Sequence, residues 1–554
     1  MKDYSESGQY RTAATVTLIF LVGAIWASAL SAGHDHGGQS LAMSGESVGH
    51  VDFGVSCTSD AAEAFDHSLT LMHHMMYEQA RDAFAGVLEE DPDCAMAHWG
   101  VATTLFQPLW GTRPTEEVLA RGREAVSKAR ELGPGDEREA KLLAATAAFF
   151  DPEDGAAYSE RIGGWIEGMA AAREAAPDDD EVAALYALSR LTIAQNADDP
   201  NPLHDEAEAI LRAIHADNPE HPGAVHYLIH SDDIDGRAEN NPDIVAQYSD
   251  IAPQVPHALH MPSHIYVRLG KWPEVIEWNT QSAAAALDQP AGDYVSLHYI
   301  HAQDYKVYAY LQKGMDEQAR AVIAESFQQG ELQPGAGSAF HAATIPARYA
   351  VERRDWEAAA ELAVKEPEKL AWDAPLGMWA EAQTWLARGL GAVHGDDRKA
   401  ARNALHNIRD LRKKAEDQGE STFASYIGIE EGILAGWLAW LDGRNEDAVA
   451  AIQGAVELEE RVEKHPITPG ALVPPREALG DLLRALDRPE EALAAYAESD
   501  AVWPGRYNTL YGAARAAEAA GKEGEARDYF SALLDIAGRS ERREVATARQ
   551  YLEE

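Results

Sequence analysis

Residues 221–230, HPGAVHYLIH, and residues 255–264, VPHALHMPSH, align at an offset of 34. Pro222 then stands over Pro256, Ala224 over Ala258, His226 over His260 and His230 over His264. Neutral imidazole is a good ligand for zinc and copper, and the only side chain that ordinarily changes charge near pH 6.5. A spacing of four puts His226 and His230 on one helical face, and His260 and His264 on another. That is the chelating geometry of two helical histidines in zinc proteases. The glutamate of HExxH is absent here, so protease chemistry is not expected. The expected metal set is His226, His230, His260 and His264, holding a divalent ion such as zinc or copper, with Asp304 as a carboxylate ligand or an orienting partner.

The 34-residue offset is the period of a helical hairpin repeat, and it recurs along the chain. Ala80, Phe84 and Pro92 mark one unit, and Ala207, Leu211 and Pro219 another. Gly270 with Trp272 and Val275, Gly314 with Ala319 and Ile323, and Gly443 with Ala448 and Ile452 follow. Gly480, Ala492, Tyr496 and Pro504 repeat the pattern, as do Ala526 and Phe530. Such tetratricopeptide-type hairpins bury their apolar faces only by stacking. The expected fold is therefore all-α: a right-handed superhelical solenoid of about nine or ten hairpins. Abundant alanine and few β-branched runs agree with it.

In that repeat, positions 2, 5, 9, 12 and 13 of the first helix face a concave groove. His226 and His260 occupy position 5, His230 and His264 position 9, and His257, His301 and His341 position 2. Asp304 and Tyr308 take positions 5 and 9 beside His301. Arg268, at position 13, is placed to clamp a carboxylate or phosphate. These ten residues form the expected ligand-binding set. Two other readings stand beside the metal one: a packing ladder of histidines bonded to Asp232, Asp233 or backbone, and metal-free binding of a ligand or peptide. His67, His73, His74, Trp99 and Phe106 read mainly as structural. No phosphate loop or nucleophile elbow is present.

The region resembles a family of bacterial tetratricopeptide-repeat proteins carrying HPGAxHxxxH followed by HxxHMPSHIxxRxG. Here these read HPGAVHYLIH (221–230) and HALHMPSHIYVRLG (257–270). Residues 56–100 resemble the N-terminal segment of the same family. The resemblance implies a repeat architecture and singles out the histidines; it implies no reaction. Asn241 stands where the repeat wants alanine, so a helix after His230 is not assured.

Residues 1–32 read as a signal peptide or a retained membrane anchor, since 12–32 carry no charge and end in small residues. Either places the body outside the cytoplasm, in the periplasm or its equivalent. Residues 33–56 read as a flexible leader, 57–463 as the N-terminal and central array, 464–475 (KHPITPGALVPP) as a Pro-rich hinge, and 476–554 as a C-terminal repeat pair. Residues 196–206 and 286–297 read as loops. The two cysteines, Cys57 and Cys94, are expected to form a disulfide at the N-terminal cap. A formal charge of −45 argues against nucleic acid and anionic lipid as partners. Function is thus expected to be the binding of a protein, peptide or small ligand in a histidine-lined groove, with a metal ion assisting. The alternative is a metal-dependent enzyme working at the four histidines.

Overall fold

Helices begin where the sequence supplies caps. Asp136, Asp179 and Asp397 accept the N–H groups of Glu139, Val182 and Ala400 at 2.8, 2.8 and 2.9 Å. They turn back where glycine relieves a left-handed backbone. Gly270, at φ 63°, lies so close to the Pro504 carbonyl that a Cβ would stand 2.9 Å from it. The pairing of small and bulky positions also has a direct cause. A Cβ on Gly100 would sit 2.5 Å from the Phe84 ring, and one on Gly512 2.4 Å from the ring of Tyr496. Each ring fills the notch of the next hairpin, and burying it contributes roughly 1.5–3 kcal/mol.

The computed structural model describes residues 48–554 apart from 111, 112 and 198. The expected segment 1–32 and the leader through residue 47 lie outside the described residues. Among those described, the regular elements are all helices, and the all-α solenoid of stacked hairpins is what the chain forms. Twelve hairpins run from Ser59 to Ala537, and helix Arg543–Glu553 closes the array. The count exceeds nine or ten because long turns inside the hairpins Ala95–Leu132 and Glu137–Ala175 break the 34-residue spacing. None of these helices is long and apolar enough to cross a membrane.

Several boundaries differ from the sequence reading. Asn201–Asp217 is a helix, so only the first residues of 196–206 form a loop. Pro242–Ile251 is helical despite Asn241, whose amide donates to Asp232 Oδ2 at 2.8 Å and to Glu208 Oε1 at 3.0 Å. The side chain replaces alanine packing with two hydrogen bonds. The end of the leader is packed: Val51 and Phe53 are buried, and the Phe53 ring stacks on Trp99. Cys57 and Cys94 are joined in a disulfide, with Cα atoms 4.9 Å apart.

The superhelix is wound tightly enough that distant turns touch. His74 Nδ1 accepts from the Tyr248 hydroxyl at 2.8 Å, tying the first hairpin to the fifth. At the other end, Trp272 donates to the Gly505 carbonyl at 2.9 Å and Arg506 to Tyr308 at 2.7 Å. The described residues fall in a single compact unit, to which residues 475–554 contribute two hairpins and the closing helix. The segment 464–475 is held against the groove. Its carbonyls turn inward and are gripped: Tyr305 donates to those of Pro466 and Thr468 at 3.2 Å, and Arg348 to that of Gly470 at 3.1 Å. Prolines remove N–H donors from the segment, so its remaining polar groups are satisfied by the groove side chains it covers.

Candidate metal centre

Helix Pro222–Asp232 opens on His221, whose Nδ1 accepts the Ala224 N–H at 3.1 Å. Its remaining turns carry His226 and His230 inward. The next repeat's first helix is broken into Pro256–His260 and Pro262–Arg268, because Pro262 cannot continue the ladder. His257, His260 and His264 project from it, and His301 from helix Leu297–Gln312. His226, His257, His260 and His264 are at most 3% exposed, and His230 and His301 at most 9%. The groove positions are therefore interior, covered by 464–475 and by Trp110.

The expected four-nitrogen set is not what forms. His226 and His230 gather with His257, whereas His260 and His264 gather with His301. In each triad the candidate ligand atoms lie within 4.8 Å of one another. Position 2 of each unit, one turn before position 5, completes each group, because tight winding brings the start of one helix against the middle of the next.

The second triad shows which nitrogens are free. Asn279 Nδ2 donates to the Val275 carbonyl at 2.7 Å, which fixes its amide orientation. Its Oδ1 must then accept from His260 Nδ1, 2.6 Å away. His264 Nδ1 lies 2.8 Å from Asp233 Oδ2. Burial alone would raise the Asp233 carboxyl; Lys464 and Arg268 outweigh it and hold it ionised, so His264 Nδ1 is the donor. Both Nε2 atoms therefore carry lone pairs, and they face each other at 2.9 Å. Two lone pairs repel at that distance unless a proton or a cation lies between them. Burial, followed by the nearness of His264, pushes His260 well below its ordinary value, and burial lowers His264 as well, so the proton is disfavoured. Ligands of one tetrahedral zinc stand about 3.3 Å apart.

His301 is oriented through a relay. His341 Nδ1 donates to Asp304 Oδ2 at 3.1 Å, and His301 Nδ1 donates to His341 Nε2 at 3.0 Å. That leaves His301 Nε2 as the lone-pair nitrogen. Asp304 also accepts from Thr344 and Arg348 at 3.1 and 3.2 Å. Burial would raise its carboxyl, and Arg348 reverses the sign. Asp304 and His341 thus orient the His301 ring and lie outside both triads.

In the first triad, His226 Nδ1 donates to the His73 carbonyl at 2.6 Å, leaving Nε2 as an acceptor. His226 Nε2, His230 Nε2 and both nitrogens of His257 are buried without a hydrogen-bond partner among the described residues. Burial lowers all three, His230 to about 3. A cavity of about 50 Å³ lies against both triads, lined by His230, His257, His264 and His301 among others.

Not every polar cluster is of this kind. His73 Nε2 donates to Glu181 at 2.6 Å while its Nδ1 accepts from Tyr227 at 3.0 Å, and His221 Nε2 lies 3.1 Å from Glu181. Here the ring nitrogens face a carboxylate and a hydroxyl, unlike those of the two triads, although these three residues too are close enough to hold an ion. Tyr308 bonds Arg506 rather than any histidine. Arg268 grips Asp233 at 2.9 Å and also pairs with Asp235. Trp99 and Phe106 belong to the packed N-terminal core.

Sequence reasoning missed Asn279, Lys464 and His465. Asn279 lies on a second helix, outside the first-helix phase used to find the groove. Lys464 and His465 are brought in by the covering segment, with no periodic signal. That segment also walls a larger cavity of about 260 Å³, whose lining includes Ile234, Arg268, Trp379, Tyr426, Glu430 and Trp503. Burial pushes the Glu430 carboxyl up to about 8. His465 lines both cavities.

No family model and no curated protein matches the chain. Among solved structures, the human IFIT1 dimer with PPP-AAAA is similar over 87% of this chain and 96% of its own length. Identity is 10% and the TM-score 0.34, a likeness that carries no argument about ligand or mechanism.

Proposed function

We propose that the protein is a metal-binding helical-repeat protein that holds a divalent transition-metal ion, zinc or copper, on His260, His264 and His301. The observation that carries this reading is the 2.9 Å approach of two Nε2 atoms whose Nδ1 partners are already committed as donors. Outer hydrogen bonds donated to Asn279, Asp233 and His341 support it, since ligating histidines usually donate their second N–H in this way. The body works outside the cytoplasm; the Cys57–Cys94 disulfide supports that location.

The larger cavity beside His465 favours a small organic molecule as the further ligand, and with it the enzymatic alternative. An extended peptide along the groove is less favoured, because 464–475 lies where it would run. Elemental analysis of untagged protein tests the centre, together with zinc and copper titrations of wild type and His264→Ala. Bound metal lost in the variant supports the reading. Wild type that carries no metal, and gains no thermal stability from either ion, overturns it.

A further inference from the structure

We infer that the chain binds two metal ions side by side, the second on His226, His230 and His257, and that the pair shares one small bridging ligand, hydroxide or a two- or three-atom anion, in the cavity between the triads. This rests on the metal-centre reading above and extends it to a second ion and a ligand class.

The first triad has an unmet need that packing does not supply. Four ring nitrogens on three buried histidines lack partners, although a buried polar atom left unpaired costs about 1–3 kcal/mol. His226 is the sharpest case. Its Nδ1 is spent on the His73 carbonyl, so its Nε2 offers a lone pair in a place where no described group donates to it. The rings touch edge to face, His226 against His257 with centroids 5.0 Å apart, which satisfies their faces but not their nitrogens. A metal ion answers several lone pairs at once.

The two triads adjoin. Ring centroids of His257 and His260 are 5.9 Å apart, and those of His230 and His264 5.8 Å apart. Rings this close set the triads side by side, the arrangement that a two-metal site requires. Three nitrogens per ion leave a coordination position open on each. The cavity between has lining residues from both triads, and its 50 Å³ holds roughly three water-sized groups. Charge argues for an anion there. All six ligands are neutral imidazoles, and the nearby carboxylates, Asp233 and Asp304, act only through His264 and His341. Two dications so close repel strongly, and a bridging anion offsets that repulsion.

The test loads the full-length protein with copper(II), removes weakly held ions with chelator, and counts copper per chain in wild type, His257→Gln and His230→Gln. Expected are two ions in wild type and one in each variant. The wild-type electron paramagnetic resonance signal should fall well below two spins, because bridged ions couple, and each variant should give one full spin. Azide should add one charge-transfer band at one azide per two coppers in wild type. One copper in wild type, unchanged by either substitution, sinks the second ion and leaves the metal centre standing. Two uncoupled spins, or azide binding singly to each copper, sink the bridge. No retained copper or zinc overturns the centre itself. Circular dichroism and melting of both variants check that they fold; if one does not, the other carries the count.

Discussion

Lys464 Nζ lies 2.8 Å from Asp233 Oδ2, with both side chains less than 5% exposed and the two residues 231 positions apart in sequence. The same oxygen accepts from His264 Nδ1. The covering segment is thus electrostatically locked to the carboxylate that orients a candidate ligand. Burial lowers the Lys464 ammonium, and Asp233 works against that shift.

Lys464→Met should cost about 3–5 kcal/mol, the usual penalty for breaking a buried pair from one side. Urea unfolding checks it. A loss below 1 kcal/mol would mean that the segment is held by its carbonyl contacts alone.

Asn279→Leu removes the acceptor for His260 Nδ1 while keeping the volume similar. Metal affinity should fall about 10–100-fold, as when other orienting partners of metal ligands are lost. Competition against a chelator of known affinity measures the change. Unchanged affinity would place His260 outside the coordination set.

Glu430 gives a pH dependence away from the histidines. Burial raises its folded carboxyl to about 8, above an ordinary value of 4.5. Between those two values the unfolded chain has released the proton and the folded chain keeps it. Stability therefore declines as pH rises through that window and levels off above about 8. Glu430→Gln should remove this contribution. Wild type and variant should be close near pH 5 and diverge in the variant's favour by pH 8, by on the order of a few kcal/mol. Parallel melting curves across that range would contradict the buried, protonated carboxyl.

Cys57 and Cys94, 37 positions apart in sequence, close a loop at the N-terminal end of the array. Reduction, or Cys94→Ser, should lower stability by about 2–4 kcal/mol. Reductant should shift the denaturation midpoint of wild type but not of the serine variant. Equal shifts in both would show that the bond is not formed in the folded protein.

The repeat period, the all-helical class and the inward phase of the histidines were legible in the sequence, because helix pitch and hairpin stacking are local rules. Gly100 beside Phe84 and Gly512 beside Tyr496 follow those rules directly. Which histidines meet was not legible. His226 and His260 share a repeat position, yet they fall in different triads, and His257 and His301 complete those triads from position 2. That outcome depends on superhelical winding, which adds small rotations over many hairpins. The covering of the groove is likewise a tertiary matter: 464–475 reads as a Pro-rich break, and only packing against Tyr305, Arg348 and Asp233 turns it into a lid over buried nitrogens. Local periodicity determined that imidazoles point inward; long-range winding decided which ones converge, and that they are buried.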